Sequence, residues 1–508
     1  MAAIISDNLK ITNCTNFVNN ISTEPYYTFI GLPNSEDYNS DWNTNTPSPI
    51  DNKLYHNCYK NSILSVKKIT SSDVTRVIPK IKWESGLKYD MYRHDYSSYN
   101  PTKISSTSKL YDSKYYIVNK DYNVYVCLYN GSSYQNVNGL KSLYEPTNTA
   151  SSAQEEPDGY IWKYLYTISA SELLQFDSNN YIPVPNNWAG RIKSAAVDGK
   201  IEVILIEQGT QYNVGSQLVY NDVPISGDGY GGLARVEFNE EAFPIKVTVT
   251  AGGDRYTYAT LNLDSIVSPI ENSSIFNVII PPDGGHGFDV YQELGAFRIL
   301  LYSRIENSDI TNPDFGNQYK YARIGIIKNI KSYGSSAKFT ASSGTATRSI
   351  KLNEIFEGAI NSKITQGTAI GKVIEIIDVN QTSSVIKYII VREDYIDTYS
   401  SGNITQTGDP FYTIPDYNNK SITKLSYGGG EILFNNNSQI NNAERSYTVD
   451  SNFSGTNLGE LYFGQTFSGG ISTPDININS GQLIYIENRS PVTRQQNQRE
   501  DIKIVIEF

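Results

Sequence analysis

Residues 114–129 read KYYIVNKDYNVYVCLY, and this stretch decides the fold class. Two short apolar runs with period-two character flank Asn119-Lys120-Asp121, a cluster of turn formers. The stretch therefore reads as two strands of one hairpin, with tyrosines alternating so that rings pair across one face. The same texture recurs in IWKYLYTI from Ile161, IEVILIE from Ile201, IKVTVT from Ile245, FRILLYSRI from Phe297, ARIGIIKNI from Ala322, VIKYIIV from Val385 and IKIVIEF from Ile502. Helix signals are fewer. Ile11, Cys14, Phe17, Val18 and Ile21 fall at helical spacing, and Ser169 or Ser171 is placed to cap a short helix ending near Phe176. The expected fold is mainly β with a few short helices, α+β in class.

At 508 residues the chain has room for two to four folded units. Texture changes around residues 191–196, where Trp ends at Trp188 and Gly rises. Beyond it VILIEQGTQYNVG from Val203 and VTVTAGGDRYTYA from Val247 share a strand, a Gly-centred turn and a later Tyr, which predicts paired hairpins in a small β domain. Residues 332–470 are low in charge and rich in Ser, Thr, Asn and Gly, which suits an accessory β domain with loops at Asn435-Asn436-Asn437 and Asn441-Asn442.

Composition excludes several function classes. A net charge of -11 has the wrong sign for a phosphate-binding groove, so no nucleic-acid role is expected, and Lys67-Lys68 reads as solvated surface. Cys14, Cys58 and Cys127 are odd in number and far apart, which signals neither a disulfide framework nor a zinc site. The opening residues lack the pattern of a signal peptide, and no apolar run approaches the roughly 20 residues of a membrane span. The expectation is a soluble protein that folds in a reducing compartment, with no cofactor and no bound metal.

Motifs for catalysis fail on context. GDGYGG from Gly227 has the spacing of a dinucleotide fingerprint but runs into the alternating LARVEF, so a hairpin turn is expected. GTAIGKV from Gly367 is one residue short of a phosphate loop and reads as a turn. The pairs Glu155-Glu156 and Glu240-Glu241 sit in polar, turn-like stretches and read as solvated. In DGGHG from Asp283, His286 is expected in a tight turn, satisfying nearby carbonyls. No nucleophile elbow is present, and no enzymatic activity is expected.

Three blocks carry a resemblance. The first is N-terminal: YTFIGLPNSEDYNSDW from Tyr27, VIPKIKW ending at Trp83, YVCLYN near Tyr125 and PDGYIWKYLYTIS from Pro157. The second is PPDGGHGFDVYQELGAFRILLYSRI from Pro281 leading to ARIGIIKNI, and the third is GQLIYIENRSPVTRQQNQREDIKIVIEF from Gly481. Together they resemble the baseplate wedge subunit of T-even-like contractile-tailed bacteriophages, the gene-eight product family, in its long marine and cyanophage form.

The resemblance implies a β-sandwich-like wedge core in residues 1–195, 276–331 and 471–508. Residues 196–275 and 332–470 would be two small inserted β domains, the first holding the two-copy hairpin repeat. It marks Trp83, Asp158, Gly159, Trp162, Tyr164, Gly285, His286, Gly287, Tyr485, Glu487, Asn488, Arg489 and Pro491 as framework residues. It also implies a homodimer, bound to the products of genes seven, ten and six, in a virion tail baseplate assembled in the host cytoplasm. Trp162, Tyr164 and Tyr166 alternate into an aromatic face that needs burial. Tyr485, Glu487 and Arg489 form a polar strip that suits either a subunit contact or an internal edge, with Pro491 ending the strand. The rival reading is a virion-surface carbohydrate-binding protein, stacking sugars on Tyr-rich inserted domains.

Overall fold

The structure, a computed structural model, describes residues 4–32, 41–44, 46–186, 188–306, 315–316, 320–360, 363–366, 369–390, 394–400, 403–409, 439–441, 446–459, 461–495 and 498–508. It is mainly β with a few helices, strand outweighing helix by 41% to 12%. The quoted stretch folds into the antiparallel strands Tyr116–Val118 and Asn123–Tyr129, Val118 lying opposite Val124. Asn119 makes the turn, its Oδ1 accepting the amides of Asp121 at 3.0 Å and Asn123 at 2.9 Å. Ring pairing reaches past the hairpin: Tyr125 meets Tyr164 of the next strand, Ile161–Thr167, at 5.7 Å.

Contact density divides the chain into two compact units. One comprises Met1–Val18, Val74–Leu301 and Ile504–Phe508; the other comprises Asn19–Asp73 and Tyr302–Lys503. The helix expected around Ile11–Ile21 runs Asp7–Thr23, with Ile11, Cys14 and Ile21 buried. Ser169 caps the helix Ala170–Phe176 in a full capping box with Glu172.

In the first unit the hairpin belongs to a four-stranded sheet ordered Tyr116–Val118, Asn123–Tyr129, Ile161–Thr167, Gln154–Glu155. Strand Val74–Pro79 pairs on one side with Tyr181–Val184 and on the other, through Val74–Val77, with residues 298–301. Ile78, Ile182 and Val184 share one core with Val124, Val126, Trp162 and Leu165, so both sheets bury their apolar sides in common.

Residues 201–278 enclose a separate core. Strands Val219–Gly227 and Tyr230–Phe238 form the hairpin expected at GDGYGG, and Gly232, Ala234, Val236 and Phe238 point inward in strict alternation. The two repeat copies take different partners: Ile204–Gln208 pairs with Ile275–Val278, and Pro244–Asp254 with Tyr230–Phe238. Their common Tyr has one fate, since Tyr212 and Tyr256 are both buried in this core. Tyr256 donates its hydroxyl to the Ile225 carbonyl and accepts the Gly232 amide.

The second unit carries a five-stranded sheet ordered Ser343–Thr345, Ile63–Ile69, Tyr26–Gly31, Lys320–Lys328, Gln482–Thr493. Pro491 does not end the last strand. That strand lies at the sheet edge, and its register slips between the pairs Tyr321↔Val492 and Arg323↔Asn488, so the proline sits in a bulge. A nine-stranded sheet is built from nine strands between Arg348 and Ser472. Asn441 belongs to its strand Gln439–Asn441 rather than to a loop; Asn435, Asn436, Asn437, Asn442, Gly367 and Thr368 lie outside the described residues. The strands flanking Gly367 pair antiparallel, Gln366 opposite Ala369.

Candidate functional site

Strand Ile161–Thr167 is buried on both faces. Trp162 and Tyr166 enter the core shared by the two sheets, and Trp162 stacks on Tyr160 at 5.4 Å with an interplanar angle of 12°. Tyr164 is only half-buried, and its hydroxyl lies 2.7 Å from Thr167 Oγ1. On the opposite face Lys163 is buried too, and an ammonium out of water needs a partner. Glu202 supplies it, with Oε1 2.9 Å from Lys163 Nζ and 3.7 Å from Lys200 Nζ. Burial alone would raise the Glu202 carboxyl. The charges of Lys163, His286 and Lys200, with the Lys163 hydrogen bond, outweigh burial and hold it below its ordinary value of 4.5.

His286 faces this cluster from the DGGHG loop. Gly284, Gly285 and Gly287 all take positive φ, and a Cβ on Gly285 would lie 2.2 Å from the Val197 carbonyl oxygen. The loop so shaped turns the imidazole inward. The sequence reading expected carbonyl partners, and the structure corrects it: Nδ1 lies 2.6 Å from the carboxylate oxygen Glu293 Oε1, while Glu293 Oε2 accepts the Gly287 amide at 2.7 Å. The imidazole meets Tyr92 edge-on at 4.8 Å. A turn exposed to water would have satisfied the ring on backbone or solvent. Here the ring and carboxylate are both buried, and a carboxylate is the stronger acceptor.

The cluster ties together strand Ile161–Thr167, the segment at Glu202, the glycine loop and the helix Val290–Glu293. Burial raises the Cys127 thiol and the Tyr92 hydroxyl well above their ordinary values, and it pushes Cys14 up to about 11 despite the neighbouring Arg76. The geometry is that of an internal lock, made of the Lys163–Glu202 ion pair and the His286–Glu293 hydrogen bond.

Other framework residues hold backbone. Trp83 donates its indole N–H to Ser142 Oγ at 3.0 Å, and Asp158 Oδ2 accepts the amides of Leu143 at 2.6 Å and Tyr144 at 3.1 Å, so the two clamp the same short segment. Gly159 follows at a positive φ of 85°. The C-terminal group lies in the second unit. Tyr485 donates to Glu487 at 3.0 Å along the edge strand, Asn488 donates to the Pro47 carbonyl at 3.0 Å, and Arg489 is exposed.

Four residues escaped the sequence reading: Lys163, Glu202, Glu293 and Arg323. Arg323 is fully buried, giving Nε to Asn488 Oδ1 at 2.9 Å and Nη1 to Ser62 Oγ at 2.9 Å, with its guanidinium 4.6 Å from the Tyr59 ring centroid. The available signal was a charge placed inside an apolar strand run. Of the surface carboxylates, Glu155 pairs with Lys246 at 3.1 Å, and Glu240 and Glu241 are exposed beyond strand Tyr230–Phe238.

Among the described residues no group of three or more His, Cys, Asp or Glu side chains is arranged to hold a metal ion, and no helix is long and apolar enough to cross a membrane. No protein-family model matches the chain, and no curated protein matches it in sequence.

Proposed function

We propose that the chain is a structural subunit of a contractile-tail baseplate wedge, acting as a homodimeric scaffold that binds neighbouring wedge proteins. One observation carries this reading beyond the sequence blocks themselves. Three of the resembling stretches are far apart in the chain yet form adjacent strands: Tyr26–Gly31 pairs with Lys320–Lys328, and Lys320–Lys328 with Gln482–Thr493. Much of the intervening stretch, residues 348–472, builds a different sheet. A framework continuous in space, with added material looped out between its strands, is the arrangement a long member of such a family requires. This buried cluster, one ion pair and one histidine–carboxylate hydrogen bond, fits a mechanical role, since it fixes elements to one another rather than exposing a reactive group. In this role many moderate interfaces hold a metastable assembly, and their rearrangement on host contact releases the sheath.

Sedimentation velocity on the purified chain tests the dimer. The expected species has twice the chain mass and shifts further on adding neighbouring wedge proteins. A monodisperse monomer that ignores those proteins contradicts the reading.

A further inference from the structure

A cleft of about 690 Å³ in the first unit has four tyrosines in its lining, Tyr92, Tyr96, Tyr111 and Tyr256. Three of them donate their hydroxyls to fixed acceptors: Tyr96 to the Met91 carbonyl at 2.9 Å, Tyr111 to the Gln292 carbonyl at 2.5 Å and Tyr256 to the Ile225 carbonyl at 2.9 Å. Tyr92 differs. It is only 5% exposed, yet no partner for its hydroxyl exists among the described residues. A hydroxyl that deep in a protein is normally paired, so its missing partner has to come from the cleft. Burial raises this hydroxyl above its ordinary value, and the charges of Glu293, Tyr111 and Asp283 add to the effect. Tyr111 and Asp283 are themselves part of the lining, which sets the hydroxyl against the cleft.

The charges around the cleft do not balance. Arg93 is held by Asp95 at 2.6 Å and Glu207 at 3.0 Å, neither of which lines it. His94 accepts the Ile280 amide on Nδ1 at 3.2 Å, and burial lowers its pKa, so it is neutral at pH 7. That leaves Asp7, Asp198 and Asp283 against Lys109. Asp7 reaches only Lys10, at 3.7 Å, Asp198 gives one oxygen to the Gly284 amide at 2.8 Å, and Asp283 has no ion pair among the described residues. The three carboxylates do not form a group that could share one metal ion. Carboxylates that stand apart around an aromatic and apolar cleft match a ligand whose positive charges are separated by apolar chain.

We propose that this cleft binds a linear polyamine, with ammonium groups at Asp7, Asp198 and Asp283, methylenes against the tyrosines, and the Tyr92 hydroxyl accepting an N–H. A single inorganic cation meets one carboxylate at a time, an anion meets an excess of negative charge, and a neutral ligand leaves the carboxylates uncompensated. The cleft's volume is in the range of small-molecule sites. The inference stands on the cleft alone and does not depend on the baseplate reading.

Titration calorimetry of the intact chain with spermidine, at low and fixed ionic strength, tests it. One saturable site with a Kd of about 1 mM or tighter is expected. Asp198→Asn combined with Asp283→Asn weakens binding about tenfold, while Glu240→Gln combined with Glu241→Gln removes the same charge from an exposed turn and changes it less than about twofold. Tyr92→Phe, which breaks no hydrogen bond within the protein, weakens binding about fivefold. Equal losses in the two carboxylate pairs mean diffuse attraction to an acidic chain and overturn the proposal. Magnesium chloride binding as tightly as spermidine, full affinity in Tyr92→Phe, or no saturable binding of spermidine at millimolar concentration overturns it equally.

Discussion

Lys163 shows how a residue's neighbours in sequence can mislead about its surroundings. In IWKYLYTI it alternates with aromatics, which suggests a water-facing position, and nothing local names Glu202 as its partner 39 residues away. Burial on both faces of the strand turns it into half of an enclosed ion pair. Removing Lys163 leaves the buried Glu202 carboxylate with only the longer 3.7 Å contact to Lys200, so Lys163→Ala is expected to destabilise the fold by about 3 kcal/mol in chemical denaturation. Lys246→Ala is the control. Its pair with Glu155 is half-exposed on both sides, and the loss is expected to stay below about 1 kcal/mol. Similar costs for the two variants would refute the lock. His286 follows the same logic: the glycines around it foretold a tight loop, but the choice of a carboxylate partner depended on Glu293, delivered by a helix that sequence spacing did not connect to it.

At the scale of elements, hairpins and caps were legible because their causes are local. Asn119 and the Ser169–Glu172 box act within a few residues. The bulge at Pro491 was not legible, since whether proline ends a strand depends on which edge faces a neighbour. The sheet built on Asn123–Tyr129 also has a titration that follows from its packing. Tyr115, Tyr116, Tyr160 and Tyr166 are buried and donate their hydroxyls to carbonyls of Glu293, Pro79, Leu140 and Pro183. Burial raises all four above the ordinary value of 10.0. Because the folded values exceed the unfolded one, this stabilisation is fully present below pH 10.0 and is lost as pH rises above it. Thermal melts should therefore fall steadily above that pH, with tyrosinate absorbance of this group appearing only on unfolding. Ionisation of Tyr115, Tyr116, Tyr160 or Tyr166 itself in the folded state near pH 10, followed residue by residue by NMR, would contradict the packing.

For the whole molecule, the 40 tyrosines and three histidines fit a chain whose work is contact. Tyr covers area with little loss of rotamer freedom, and in the first unit it serves as core filler and backbone clamp together. Mainly β character was readable because short apolar runs between turn formers became strands, some buried on both faces like Tyr26–Gly31 and some alternating like Tyr230–Phe238, with Gly232, Ala234, Val236 and Phe238 inward. The gathering of chain segments into two units was not readable. It follows from long-range pairing such as Tyr27 opposite Ile327, which no local window contains. The function proposed here rests on segments brought together in that way, and the most direct test is made in the assembled particle. Cross-linking mass spectrometry on tailed particles carrying the chain should give links between two copies of it and from it to neighbouring wedge proteins. A chain that yields no link to any tail protein, or is absent from the particles altogether, would contradict a role in the baseplate.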